Sequence, residues 1–367
     1  MTEVAPERAM TGDVVYFFAF DVANEILHSR VKQQLGNRVS ELGLRAKHTA
    51  PRDIALYRPL SLQPRADRLE LKMGPLRLEV HLYEFGVISL VMCIEFERDS
   101  LLDLLPYHRP ELSDGRPLDA LARKLCAEVY EEIEPFLVNK SAPTEPEAYT
   151  VFRVHDLGAE TDVQHWLGVR RAEAAALLTD LEPATLSSAH IDEAFRQHQS
   201  LSRADAVVID WDAALLIDLT RESDDTLYAI ELANVQLEEF RHMDLMLDRF
   251  LNRAYDDLER RPFSLFGVSS AVLRKLRWFR VDLAKLADEV TNTTKFFGDW
   301  YLARVYAAAR ERFHLEQWKN SVEQRLAQLD HIYNVVHSEI AERRMFWLEL
   351  IVVILIALDL VAIVFRK

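Results

Sequence analysis

Three Glu-x-x-His pairs have the residue types and spacing that could do chemistry: Glu25/His28, Glu239/His242 and Glu311/His314. On a helix, residues three apart face the same way, as the ligands do in carboxylate-bridged di-iron bundles. Such a bundle also needs one glutamate from each of two further helices, for which Glu231 and Glu289 are candidates. In a chain with 12 histidines and many glutamates, about one such pair arises by chance. We therefore predict no metal site and keep a metal-dependent oxidoreductase as an alternative function.

Other catalytic patterns are absent from the sequence. No two of the 10 glycines are spaced as a dinucleotide fingerprint, a phosphate loop or a nucleophile elbow requires. Cys93 and Cys126 lie too far apart to form a disulfide framework or a four-thiolate metal site, which is typical of a reducing compartment. The sequence therefore predicts a protein that is not an enzyme, with no catalytic residue and no cofactor.

The formal net charge of −15 restricts the partners. Most of the acidic excess lies before residue 269, and such a surface repels phosphate backbones. No direct binding of nucleic acid is expected.

The stretch 291–306 is unusual because it places charged and amide side chains among five aromatic residues. Its composition favours a helix-to-helix turn in which aromatic rings pack and Lys295 or Arg304 pairs with Asp299. The alternative is a corner that recognises a protein partner. The candidates for that role are Asn292, Lys295, Gly298, Asp299, Trp300 and Arg304.

The elements that would carry these residues begin with an α+β domain over residues 13–220. A buried strand is predicted at 14–20, and alternating or apolar runs predict a meander at 68–73, 76–83 and 87–96 with turns at Gly74-Pro75 and Gly86. Helices are predicted at 21–35, 118–137 and 162–181, and further strands at 149–154, 204–210 and 213–218. Clustered strands with helices between them predict a mixed α/β domain with an antiparallel sheet.

From residue 224 to 344 the apolar pattern changes to a helical one. Ile230, Leu237, Leu251 and Leu258 fall on one seven-residue series, in which Asp244 occupies the missing place. Such a seam with one polar interruption predicts an antiparallel helical hairpin or coiled coil, with Asp244 setting the register.

The last segment, 345–365, is mostly apolar, and a helix of that length spans about 31 Å. This length predicts a transmembrane helix, and therefore a tail-anchored, single-pass membrane protein whose soluble part faces the cytoplasm. Its anchoring and helix-pairing residues would be Arg343, Arg344, Trp347, Glu349 and Asp359. Asp359 would need a partner inside the bilayer, which predicts a homo-oligomer.

Three features from about residue 190 onward carry a resemblance to a known family: Gln199-Ser200, the segment Lys295-Phe-Phe-Gly-Asp-Trp-Tyr-Leu-Ala-Arg304, and Leu348-Glu349 at the start of the apolar tail. In these the chain resembles the "required for meiotic nuclear division" family, whose bacterial members are filed as a domain of unknown function. The resemblance implies an α+β domain, a helical region and a carboxy-terminal membrane helix. It also implies a bacterial origin and, loosely, a tether in translation, as for a mitochondrial relative.

Together these observations predict a non-enzymatic, tail-anchored scaffold that self-associates and presents its α+β domain to a protein partner. An oligomeric cation channel with one span per subunit is the alternative from the transport class, with Asp359 lining the pore. The expected partners are the lipid bilayer, further copies of the chain and one unidentified protein.

Overall fold

The structure is a computed structural model. It describes residues 9–43, 58–64, 69–143, 145–260, 280–281, 283–286 and 299–365; the side chains of 253–260, 333, 335–344, 357 and 359–365 lie outside the description.

Twelve strands and eight helices are described. The strands are β1 Met10–Asp21, β2 Ala23–Ile26, β3 Val39–Glu41, β4 Leu60–Leu62, β5 Leu69–Leu71, β6 Gly74–Leu82, β7 Val87–Arg98, β8 Leu137–Lys140, β9 Glu147–Asp156, β10 His198–Gln199, β11 Asp205–Ile209 and β12 Ala213–Asp218. The helices are α1 His28–Leu35, α2 Leu118–Ile133, α3 Val163–Val169, α4 Arg171–Thr179, α5 Ser188–Ala194, α6 Asp224–Arg260, α7 Trp300–Arg312 and α8 Leu315–Phe365.

One large sheet organises the first part of the chain. Its strand order is β10-β11-β12-β9-β1-β7-β6-β4-β3, with β5 paired to β6, while β2 and β8 form a separate pair. The sheet is mixed, because β12 runs parallel to β9. The predicted antiparallel sheet is therefore wrong. The helices α3, α4 and α5 lie between β9 and β12 in the chain, and a crossover of this kind is what allows two strands to pair in parallel.

The two faces of this sheet differ in polarity because side chains alternate along each strand. On one face, Val14, Tyr16 and Phe18 of β1 join the main apolar core together with α2 and α4. On the opposite face, buried polar side chains from β1, β6 and β9 meet the first half of α6; examples are Asp13, His81 and Arg153. The buried charged side chains of these strands therefore lie on this second face.

Gly86 makes the turn between β6 and β7, as the sequence predicts. Its backbone has φ of +101°, and an added Cβ would lie 1.6 Å from the carbonyl oxygen of Ala23. We expect Gly86→Ala to lower the free energy of unfolding by about 3 kcal/mol or more, because it combines backbone strain with a backbone clash. Urea unfolding followed by circular dichroism measures this loss.

Gly36, which ends α1 at φ of +52°, provides the matched control because a Cβ there meets nothing within 4 Å. Gly36→Ala should lose less, about 1–3 kcal/mol, from the backbone conformation alone. Equal losses in the two variants would contradict the proposed clash at Gly86.

The predicted transmembrane helix over 345–365 is wrong. These residues belong to α8, and within the described part of the chain no helix has the length and apolarity needed to cross a membrane. The described side chains of this segment reach from Met345 to Ile356, with Leu358 beyond, and include the exposed Glu349. A bilayer span needs about 20 consecutive apolar residues, which this stretch does not supply. Four further predictions depended on that helix and are overturned with it: the membrane location, the tail anchor, the single pass and the orientation toward the cytoplasm.

The chain divides into two compact units. The first comprises Met1–Phe240 with Asp288–Glu316, and the second comprises Arg241–Ala287 with Gln317–Lys367. In the second unit, four described leucines are buried within the chain: Leu247, Leu251, Leu326 and Leu329. Of these, Leu251 belongs to the predicted seven-residue series. Asp244, the polar interruption of the predicted series, forms an ion pair with Arg325, whose Nε lies 2.7 Å from its carboxylate and whose Nη1 lies 2.8 Å from Asp248.

Candidate functional site

Three of the six predicted partner-recognition residues fall on described parts of the chain. Asn292, Lys295 and Gly298 lie outside the described residues. Asp299 is the N-cap of α7, where its Oδ1 accepts a hydrogen bond of 2.7 Å from the backbone N–H of Tyr301. An aspartate at this position satisfies one of the orphan donors of a helix start. Asp299 therefore has a structural role, and it sets where α7 begins.

Trp300 and Arg304 form an exposed pair on the first turn of α7. The indole of Trp300 is 60% exposed, and the guanidinium carbon of Arg304 lies 5.5 Å from the centre of its ring. Nη2 of Arg304 donates to the side-chain oxygen of Gln199 in β10. We call Gln199, Leu201, Trp300 and Arg304 the tryptophan corner. The structure thus brings together two segments that are about 100 residues apart in sequence.

A set of hydrogen bonds to Asp205 supports this corner and was not predicted from the sequence. Asp205 accepts hydrogen bonds from the backbone N–H groups of Leu201 and Ser202, at 2.9 and 2.5 Å, and from the hydroxyl of Tyr301 at 3.0 Å. These bonds fix the loop between β10 and β11 against α7. Leu201 in that loop stays 55% exposed. The Ser-x-x-Asp spacing of Ser202 and Asp205 was the available signal, since short polar side chains brace turns in this way.

The Glu-x-x-His pairs do not assemble a metal site in the described residues, where no group of three or more His, Cys, Asp and Glu side chains could hold an ion. Glu25 lies on β2 and His28 begins α1, so the two do not share a helix face. His314 follows the end of α7 with φ of +54°, which likewise separates it from Glu311.

Neither cysteine is a nucleophile. Burial raises the pKa of Cys93 to about 12, and it also raises the pKa of Cys126 well above the usual range. Because the thiolate is the reactive form, both side chains are unreactive at neutral pH.

The predicted membrane-anchor residues lie on α8. Trp347 and Glu349 are exposed there, whereas the side chains of Arg343, Arg344 and Asp359 lie outside the description. Nothing in the described part of the chain brings these residues together as a site.

A second feature, which the sequence analysis also missed, is a cleft of about 660 Å³ on the polar face of the sheet. Its floor is formed by ends of β9, β1, β7 and β6, and one side by the residues that lead into α6. We call it the charged cleft, after its lining side chains Asp13, Arg77, Glu95, Glu97, Arg153, His155, Arg221 and Asp224.

The floor of the charged cleft is a buried ion pair. Arg153 on β9 donates from Nε and Nη2 to the two carboxylate oxygens of Asp13 on β1, both at 2.7 Å, and from Nη1 to Asp224 at 2.9 Å. Burial alone would raise the pKa of Asp13, but Arg153 and the nearby His155 lower it to about 2. This fork geometry fixes the guanidinium, so that the floor is rigid and charged at all ordinary pH values.

Two backbone features shape the cleft. Gly12 must be a glycine, since a Cβ there would lie 2.0 Å from the carbonyl oxygen of Arg153. Arg221 has φ of +58°, held by a loop in which Asp218 accepts from the N–H groups of Thr220 and Glu222 at 2.9 and 3.0 Å. A strained, non-glycine residue held by its surroundings is a mark of functional positions.

The signal for this cleft was present in the sequence. Asp13 directly precedes the predicted strand 14–20, and Arg153 lies within the predicted strand 149–154. An unpaired charge is costly in a buried strand. Each therefore required a partner, but nothing local in the sequence identified it.

Comparisons with known proteins give a family but no described activity. A model of the family described as "Uncharacterized protein MJ0711, N-terminal domain" matches residues 11–224. The chain is similar to Uncharacterized protein MJ0711 of Methanocaldococcus jannaschii, with 21% identity over 238 residues that cover 65% of this chain and 72% of the relative. No solved structure matches the chain.

These findings overturn the resemblance to the "required for meiotic nuclear division" family. That resemblance rested on residues from about 190 to the end, whereas the matching model covers mainly the α+β part and names a different family. The implied bacterial origin has no support either. Since the family model matches more than half of the chain, the protein belongs to the family of the MJ0711 N-terminal domain.

Proposed function

We propose that this protein is a non-enzymatic scaffold whose first unit recognises a protein partner through the tryptophan corner. The observation that carries the proposal is the largely exposed indole of Trp300, stacked against Arg304 on the first turn of a helix. Tryptophan and arginine are the residue types most enriched at the energetic centres of protein interfaces.

The rigidity of the corner supports this role. Asp299 caps the helix, Gln199 holds the guanidinium of Arg304, and Asp205 ties the neighbouring loop to Tyr301. A side chain that is already ordered loses little conformational entropy on binding, so more of the contact energy appears as affinity. The exposed Leu201, in the loop that Asp205 fixes, adds apolar surface to the corner. The matching partner surface is an apolar pocket for the indole, with an acceptor near Arg304.

Self-association is left out of this proposal. The sequence predicts it from Asp359 inside a membrane span, but no described helix could cross a membrane, and the side chain of Asp359 lies outside the description. The channel alternative is also not carried further, because it requires a membrane span.

Site-specific photo-crosslinking in the cells that make the protein tests the proposal. A benzoylphenylalanine placed at Trp300 should give one dominant adduct with another protein, because a recognition surface is occupied in the cell. Once that protein is identified and purified, Trp300→Ala should weaken its binding by about 2 kcal/mol, roughly 30-fold, in titration calorimetry. Arg304→Ala should weaken it as well.

Val169 provides the control position. It is 69% exposed on α3 and has no role in the corner, so the same photo-reactive residue there should not give the adduct. Identical adducts from both positions, or unchanged affinity of the Trp300→Ala variant, would refute recognition through this corner.

A further inference from the structure

The charged cleft shares no lining residue with the tryptophan corner, and its residues are not used by the proposed recognition. Every residue that lines it falls within 11–224, the part of the chain matched by the family model. Its volume of about 660 Å³ is in the range of small-molecule sites. The charged side chains of the cleft decide which ligand it would select.

Most of the charges in the cleft are already balanced. Arg153 is neutralised by Asp13 and Asp224. Arg77 lies 3.3 Å from Asp13 and 3.9 Å from Glu95. These groups form a fixed polar floor and leave little net charge for a ligand.

Two charges of opposite sign remain. Within the described part of the chain, no ion pair involves Arg221 or Glu97, and both side chains are exposed at the rim. The backbone of Arg221 is held in its left-handed conformation by the Asp218 loop, so that the guanidinium is presented at the rim rather than free to move with a flexible loop.

These two charges stand on opposite sides of the cleft. Glu97 is on β7, where it lies opposite Thr11 of β1. Arg221 follows β12, which is on the far side of β1, next to β9. Two to three strand spacings separate the sides, or about 10–14 Å between backbones.

The arginine side also offers neutral donors. Ser223 is buried and lines the cleft immediately before the start of α6. The first turn of α6 carries Asp224 and Asp225, whose carboxylates already complement the positive end of the helix, so the preference for an anion on this side rests on Arg221 and Ser223. The side of Glu97 and Glu95 offers carboxylates, which favour a cation.

We propose that the charged cleft binds a small zwitterion, such as a short extended peptide, with its anionic end at Arg221 and its cationic end at Glu97. A ligand of a single charge would satisfy one side and leave the other unpaired. A zwitterion about 10 Å long can pair with both charged sides of the cleft. Three extended residues have about this length.

Triglycine is the probe, and titration of the full chain by calorimetry and NMR is the measurement. Triglycine should bind saturably, whereas N-acetyl-triglycine, which lacks the cation, and triglycine amide, which lacks the anion, should each bind about tenfold more weakly. Comparing the three separates a zwitterion site from a simple anion or cation site.

Two variants assign the ends of the ligand. Arg221→Gln should weaken triglycine about tenfold while leaving the affinity for triglycine amide unchanged, and Glu97→Gln should weaken triglycine similarly while leaving N-acetyl-triglycine unchanged. Both residues are exposed, so the fold should tolerate the changes. Lys124→Gln, on the exposed surface of α2, is the control and should bind like the wild type.

Three outcomes would overturn the proposal: no saturable binding of triglycine up to about 50 mM, equal affinities for the three peptides, or unchanged triglycine binding in both variants. Each is independent of the crosslinking result, because the tryptophan corner contributes no residue to the cleft.

Discussion

Glu231→Gln should lower the free energy of unfolding by about 3–5 kcal/mol at pH 6, the loss expected when one partner of a buried ion pair is removed. His81 on β6 is buried, and its Nδ1 lies 2.8 and 3.0 Å from the two carboxylate oxygens of Glu231 on α6. Burial alone would lower the pKa of His81, but the charge and hydrogen bond of Glu231 raise it to about 9.

The pH dependence identifies the mechanism. The raised pKa means that the pair stabilises the fold fully below pH 6.5, and that this contribution, about 3 kcal/mol, is lost as the pH rises through about 9. The difference between wild type and Glu231→Gln should therefore shrink from pH 6 to pH 10 in urea unfolding experiments.

Glu79→Gln supplies the matched control for this pair. The Glu79 carboxylate is 3.7 Å from Nε2 of His81 but 63% exposed, so its removal should lower stability by less than about 1 kcal/mol. A Glu231→Gln variant as stable as Glu79→Gln would show that the buried pair does not hold α6 to the sheet.

Glu238→Gln should have the opposite effect and stabilise the protein by about 3 kcal/mol at pH 7. Glu238 lies on the buried face of α6 beside Asp21, and it accepts a hydrogen bond from the backbone N–H of that residue. Burial, together with the negative charge of Asp21, raises the pKa of Glu238 to about 9. The side chain is therefore protonated in the folded protein at pH 7, whereas in the unfolded chain it is ionised.

The sign of the pH effect follows from these two states. Between about pH 4.5 and pH 9 the folded protein binds one more proton at this position than the unfolded chain, so wild-type stability falls as the pH rises. Glutamine imitates the protonated form and removes this slope. The two proteins should be equally stable near pH 4 and diverge toward pH 8 in urea unfolding.

Glu128→Gln, an exposed change on α2, should shift stability by no more than about 0.5 kcal/mol at any of these pH values. If Glu238→Gln were less stable than the wild type at pH 7, the buried carboxyl would have to be ionised and paired in the native state.

The sequence determined the local elements of the first unit. Alternating and apolar runs located β1, β6, β7, β9, β11 and β12, and the glycines at 36 and 86 marked the end of α1 and a hairpin turn. Strand and turn preferences depend on residues within a few positions, so a single sequence reveals them. Even here, the predicted helix over 21–35 is divided into β2 and α1, because Ala23–Ile26 pairs with β8 far along the chain.

The candidate sites could be predicted only in part. The tryptophan corner contains Trp300 and Arg304, which the sequence singled out by composition, but its link to Gln199 and its support by Asp205 came from the structure. The charged cleft was not predicted at all. Its residues come from four strands and a loop, and each is an ordinary charged residue in its local context.

What the sequence by itself determined is where most strands and helices of this protein lie. Only the tertiary structure decided that β12 runs parallel to β9, and that Arg153 meets Asp13 across 140 residues and His81 meets Glu231 across 150. The reason is that alternation and turn chemistry are local, whereas partners for buried charges are chosen by strand order and register, which a single sequence does not encode at any one position.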